Sequence, residues 1–127
     1  MGPHDDPGLH APELSLTRSP ALLRHVFETS PDCITLTELE TGRYVMVNAE
    51  FTRITGYEPQ DVVGRTSIEL GIWVETQDRD RLIQAISRDR SVRDLVVSFR
   101  AKRGNVLRML VSGSCFDWGG KSFLVLN

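Results

Sequence analysis

The chain has 127 residues, 40% of them apolar and 25% charged, with 15 basic side chains against 17 acidic ones. This is one domain's length and a globular composition, which excludes a multidomain enzyme and a disordered or collagen-like chain. The net charge of −2 arises before residue 20, where Asp5, Asp6 and Glu13 face only Arg18. The balanced remainder sets up no long-range field to gather nucleic acid or an anionic membrane.

Residues 1–19 hold Pro3, Pro7, Pro12, His4 and His10 and few apolar side chains, the composition of a flexible leader. MGPHDDPGLH has neither a basic leader nor an apolar stretch, and no run of about 18 apolar residues follows, so a cytoplasmic chain is expected. Ser19 before Pro20 reads as an N-cap with proline at the first helical position, and Leu22, Leu23, Val26 and Phe27 recur at helical spacing. An amphipathic helix is therefore expected over 20–29.

From Cys33 to Asn48 the period becomes two. Ile34 and Leu36, then Val45 and Val47, alternate around the turn signal Glu40-Thr41-Gly42, which predicts an antiparallel hairpin with those four side chains facing inward. Asn48 suits the N-cap of a short helix carrying Phe51 and Ile54, and Gly56 ends it. Pro59 opens another turn, closed by Val62-Val63-Gly64. Thr76 is the expected cap of the longest helix, 77–90, with Leu82, Ile83 and Ile86 as its buried stripe and Asp78 pairing with Arg81 on the outside. Three strands follow, Val92–Ala101, Val106–Phe116 and Lys121–Leu126, separated by turns at Arg103-Gly104-Asn105 and Gly119-Gly120. Two strands, several helices and three strands predict an α+β fold, a five-stranded antiparallel sheet with helices on one face.

In this order and spacing, the segment TGRYVMVN, Asn48-Ala49-Glu50-Phe51, Thr55-Gly56-Tyr57 and Val62-Val63-Gly64 resemble the first half of a PAS domain. Gly71-Ile72-Trp73, Asp78-Arg79, Arg103-Gly104 and Val111-Ser112-Gly113 resemble its second half. The likeness spans 20–127. It implies a non-catalytic sensory or interaction module of a cytoplasmic signalling protein, with a sensor histidine kinase as the expected parent. The chain stops at Leu126-Asn127, short of the Asp-x-Thr motif that leads such domains into their output, so the expected output domain lies beyond the C-terminus.

The resemblance also bears on cofactors. Light-sensing relatives place a reactive cysteine after a Gly-Arg pair; here Gly64-Arg65-Thr66-Ser67 puts Ser67 there, a far poorer nucleophile, so adduct-forming flavin chemistry is not expected. Haem-binding relatives take a histidine from the long helix, and 77–90 has none. Arginines alternate with Asp78, Asp80 and Asp89, against a cation site, and Cys33 and Cys115 form no metal or disulfide motif, reading instead as small core residues. Arg100, Lys102, Arg103 and Arg108 lack the aromatic partners that stack nucleic-acid bases.

Alternation places Leu95, Val97, Phe99, Leu107, Met109, Val111 and Cys115 inward with Phe51, Ile54, Val62, Leu70, Leu82, Ile83 and Ile86, and no general acid or base is among them. One reading is a cavity for a small apolar effector lined by Leu36, Phe51, Ile54, Leu70, Trp73, Ile83, Ile86, Phe99, Met109 and Val111, with Ser67 or Thr66 as polar anchors. The other is a filled core. On the opposite face, Val96, Val106, Leu110 and Phe116 are too apolar to stand in water. Cover is expected from the first helix, through Leu22 and Val26, and from a second copy in a homodimer. A small stand-alone enzyme and a ligand-free dimerisation module remain the alternatives.

Overall fold

A computed structural model describes residues 18–127; nearly all of the expected leader lies outside them. The elements run α1 (Pro20–Thr29), β1 (Thr35–Glu38), β2 (Tyr44–Val47), α2 (Ala49–Thr55), α3 (Pro59–Val62), α4 (Thr76–Asp89), β3 (Ser91–Arg100), β4 (Val106–Trp118) and β5 (Lys121–Leu126). The strands form one antiparallel sheet in the order β2-β1-β5-β4-β3. The hairpins β1–β2 and β3–β4–β5 are local pairings, and β5 joins them by pairing with β1 as well as β4. The chain's last strand therefore sits at the sheet's centre.

The helices start and stop where local chemistry dictates. The Leu22 N–H donates to Ser19 Oγ at 3.3 Å, and Pro20 lacks the N–H that the first turn would leave unused. Gly56 closes α2 with φ of 80°, a left-handed conformation that costs glycine little. The long helix begins one residue before its expected start. Thr76 is its first residue rather than its cap, Glu75 holds the N-cap position without a side-chain bond, and Arg90 closes the helix.

Two sequence expectations about facing are overturned. The β1–β2 register shifts between Leu36 and Thr37, so Leu36 pairs with Met46 while Thr37 pairs with Tyr44, and Val45 is the extra residue of a β-bulge. The bulge turns Tyr44 and Val47 inward and leaves Val45 and Met46 exposed. On β1, Thr35 and Thr37 are buried, opposite the buried Leu126 and Leu124 of β5, whereas Leu36 is opposite Val125 on the outer face. A shift of one residue reverses every side chain of a strand. Here the β5 register prevails over the apolar preference of Leu36, and the two threonines take the core side.

Asp78 is the other correction. It is buried, not on an outer surface. Its Oδ2 accepts from the Ser98 N–H of β3 at 2.9 Å, and its Oδ1 pairs with Arg81 at 2.6 Å. Arg81 also donates to the Val96 carbonyl at 3.1 Å. These bonds fasten α4 to β3. The Arg81 guanidinium, followed by the Ser98 N–H, holds the Asp78 carboxyl below the usual carboxylate range. With the native pKa depressed, this contribution is complete above the unfolded value of roughly 4 and is lost as pH falls through the folded one. Asp78→Asn should cost about 2 kcal/mol at pH 7. Urea titrations at pH 7 and pH 3 should show the gap between variant and wild type closing at the lower pH; an equal gap at both would refute the assignment.

The core has two joined parts. Phe51, Val62, Ile72, Val97 and Val111 pack with Tyr44 and Val47, while Leu82 and Ile86 of α4 pack with Leu124 and Leu126 of β5. Asn48, 1% exposed, makes four hydrogen bonds. Its Oδ1 accepts from the Ile34 N–H at 3.0 Å and the Phe51 N–H at 3.2 Å. Its Nδ2 donates to the carbonyls of Phe27 at 3.1 Å and Asp32 at 2.8 Å. One side chain thus caps α2 and ties the end of α1 to β1.

Candidate functional site

Between the inner face of the sheet and α4 lies a cavity of about 30 Å³, bordered by Thr35, Thr37, Tyr44, Trp73, Arg79, Ile83 and Phe99. That is room for about one water molecule. Beside it, between residues 67–73 and the first turn of α4, is a surface pocket of about 140 Å³ bordered by Ser67, Ile68, Gly71, Thr76 and Asp80. Trp73 and Arg79 border both spaces and form the wall between them.

The wall is held from two sides. Trp73 Nε1–H donates to Ser67 Oγ at 2.9 Å, and the indole meets Phe99 edge-on with ring centroids 4.8 Å apart, a favoured aromatic geometry. Gly42, with φ of 74°, lies beneath. A β-carbon there would come within 3.2 Å of Ser67 Oγ and 3.3 Å of Arg79 Nη2, so the hairpin turn uses glycine both for its backbone and for this close approach.

The cavity lining is more polar than alternation implied. Thr35 and Thr37 are 7% and 8% exposed, and neither hydroxyl enters a hydrogen bond among the described residues. Burial holds the Tyr44 phenol far above its ordinary range, so it stays neutral. Glu38, at the cavity's edge, has its carboxyl lowered by hydrogen bonds from Lys121 and then Thr41. Burial pushes the Cys33 thiol up to about 11, with Glu50 and Asp32 adding to the effect, so it is a poor thiolate at neutral pH. Among the described residues, no group of three or more His, Cys, Asp or Glu side chains could hold a metal ion.

Of the side chains expected to line a cavity, Trp73, Ile83 and Phe99 border the inner one and Ser67 borders the outer pocket. Phe51, Val111 and Ile86 are core, Leu70 and Met109 pack against that core, and Ile54 with Met109 borders a separate surface groove near Asp32 and Arg108. Leu36 is on the other side of the sheet. Thr66, the alternative anchor, is used locally: its hydroxyl accepts from the Glu69 N–H at 3.1 Å. Thr35, Thr37, Tyr44 and Arg79 were missed. Only the repeated threonine in Thr35-Leu36-Thr37 hinted at a polar inner row, and the stronger apolar alternation of Ile34 and Leu36 hid it.

On the outer face, Val106, Leu110 and Phe116 are 52%, 60% and 42% exposed. Phe116 stacks on Phe123 of β5. The cover expected from α1 is not supplied: α1 packs on α2, and its Val26 is itself exposed while Leu22 is half-buried. Among the described residues, no helix is long and apolar enough to cross a membrane.

A five-stranded antiparallel sheet with short helices and one longer helix on its inner face, enclosing a small cavity, defines a sensory-domain architecture. The family model of the PAS fold matches residues 21–126, and the chain belongs to the PAS family. No curated protein matches the chain. Among solved structures, it is similar to a PAS domain from a two-component sensor histidine kinase, with 12% identity over 84% of this chain and 90% of that one and a TM-score of 0.72. The PAS domain of an HTR-like protein from Haloarcula marismortui has 22% identity over 91% and 93%, with a TM-score of 0.70. The LOV protein of Rhodobacter sphaeroides has 20% identity over 82% and 61%, with a TM-score of 0.66. At these identities the likeness shows the fold.

Proposed function

We propose that this PAS sensory domain is a non-catalytic relay: a small effector entering behind Trp73 and Arg79 shifts the packing of α4 on the sheet, and the sheet passes the shift to a homodimer interface and an output domain. The observation that carries this reading is the shared wall, in which Trp73 from the segment leading into α4 and Arg79 from its first turn separate an inner cavity from a surface pocket. The route out is backbone. β5 borders the cavity through Leu124 and Leu126, and the ladder continues at Asn127, whose N–H and carbonyl both bond Ser112 at 2.8 and 2.9 Å. A two-state packing biased by ligand is the corresponding mechanism. A cytoplasmic sensor histidine kinase is the proposed parent, in keeping with the similar sensor-kinase domain.

Adduct-forming flavin does not suit these residues, because Ser67 stands at the cysteine position of light-sensing relatives and its hydroxyl is engaged by Trp73. A stand-alone enzyme is the weaker reading, since Tyr44 stays neutral and Glu38 is held by Lys121 and Thr41. A ligand-free dimerisation module is favoured by one observation, the single-water volume of the cavity. Native mass spectrometry with an absorption spectrum separates it from a sensor: a retained small molecule supports the sensor, and a clean apo mass from chain purified in cell extract supports the module.

The homodimer is proposed on the outer face, where β3, β4 and β5 present Val96, Val106, Leu110 and Phe116. Leu110→Arg should lower the mass measured by light scattering to that of one chain with an unchanged circular dichroism spectrum. A folded variant of unchanged mass removes this surface from consideration.

A further inference from the structure

Of the three arginines of α4, Arg81 pairs with Asp78 and Arg88 with Asp89. Arg79 forms no ion pair or hydrogen bond among the described residues, although it is the most enclosed of the three. A guanidinium drawn away from bulk water ordinarily has an acceptor. Its nitrogens lie over Gly42, where a β-carbon would be 3.3 Å from Nη2, 3.7 Å from Nε and 3.2 Å from Ser67 Oγ. The unused charge therefore sits next to the Ser67–Trp73 hydrogen bond, at the boundary of both spaces. Behind it are the buried residues Thr35 and Thr37, whose hydroxyls make no hydrogen bond among the described residues, among apolar walls from Phe99, Ile83 and Leu124.

We propose that the effector is a small carboxylic acid with a short apolar tail, its carboxylate held by Arg79 in the outer pocket and its tail directed past Trp73 toward Thr35 and Thr37. The inference rests on the effector-sensing reading above. Three features select this class. The planar fork of arginine matches a carboxylate with two parallel hydrogen bonds. The outer pocket of about 140 Å³ is well below the roughly 300 Å³ of a drug-sized site, so the ligand is small. Asp80 also borders this pocket and disfavours a second negative charge, which selects a carboxylate over a phosphate dianion.

The test uses the indole N–H signals of the full chain. Trp73 and Trp118 are its two tryptophans, and Trp118 is exposed, remote in sequence and an internal reference. Butyrate, its neutral isostere butyramide and inorganic phosphate are titrated separately at pH 7, followed by proton–nitrogen NMR. Butyrate should move the Trp73 signal and leave Trp118 in place, with butyramide and phosphate each about tenfold weaker. Arg79→Gln should reduce butyrate to the level of butyramide and Arg79→Lys should recover part of the difference. Both should melt as the wild type does, because the guanidinium has no native bond to lose. Equal binding of acid and amide overturns the anionic class and leaves effector sensing standing. Phosphate as strong as butyrate overturns the carboxylate-with-tail assignment. No movement of Trp73 with any probe overturns the inference, and a clean apo mass in the native spectrum would then remove the effector-sensing reading as well.

Discussion

Asn48→Ala should be the most destabilising single truncation of a polar side chain in this domain, with a loss of about 4 kcal/mol in urea unfolding and an unchanged denaturant slope. The reason is what the truncation leaves behind. Two backbone N–H groups, at Ile34 and Phe51, and two carbonyls, at Phe27 and Asp32, all depend on this one amide. Asn48 is 1% exposed, so water does not replace those bonds without opening the junction of α1, β1 and α2. A buried donor or acceptor left unpaired costs more than the bond contributed. Hydrogen exchange should locate the damage, with faster exchange at the Ile34 and Phe51 amides. Asn48→Asp keeps the acceptor and should preserve those two amides while releasing the end of α1, because a carboxylate repels the Phe27 and Asp32 carbonyls. A loss below about 1 kcal/mol for Asn48→Ala would mean that water enters freely.

Gly113→Ala is expected to cost about 3 kcal/mol or more by overpacking, enough to leave a domain of this size largely unfolded in mild denaturant. Gly113 lies in β4 opposite Leu126 of β5. A β-carbon there would overlap the Val125 carbonyl oxygen and come within 2.7 Å of Leu126 Cδ2. The first of these is backbone of the central strand and is itself paired with β1, so it has no room to retreat. Ser114→Ala, one residue along and exposed, should change stability by less than about 0.5 kcal/mol. Similar thermal midpoints for the two variants would show that β4 and β5 separate easily, and would count against β5 as the element through which a packing change reaches the C-terminal end.

Both positions stood in the sequence as motif residues, Asn48 as a helix cap and Gly113 in Val111-Ser112-Gly113. Their local roles were legible and their tertiary ones were not. A cap is a relation between neighbours three residues apart, whereas the bonds from Asn48 Nδ2 to Phe27 and Asp32 span 21 and 16 residues. The need for glycine at 113 comes from a strand that begins eight positions later in the chain. Asp78 shows the same limit. Spacing correctly paired it with Arg81, but its burial follows from α4 lying across β3.

The sequence by itself determined the five strands, the first and longest helices and their order, the turns at Gly42, Gly56, Gly104 and Gly119-Gly120, the apolar outer row of Val106, Leu110 and Phe116, and the family. These depend on hydrophobic period and turn chemistry, which act over a few residues. Only the tertiary structure decided which face of β1 is inner, because a bulge in β2 and the pairing with Leu124 and Leu126 of a strand over 80 residues away set that register. It alone brought Arg79 beside Gly42 and Ser67, and so put a charge and two threonines where alternation placed only apolar side chains. A site assembled from distant segments is specified by how faces pack, and no local pattern records that.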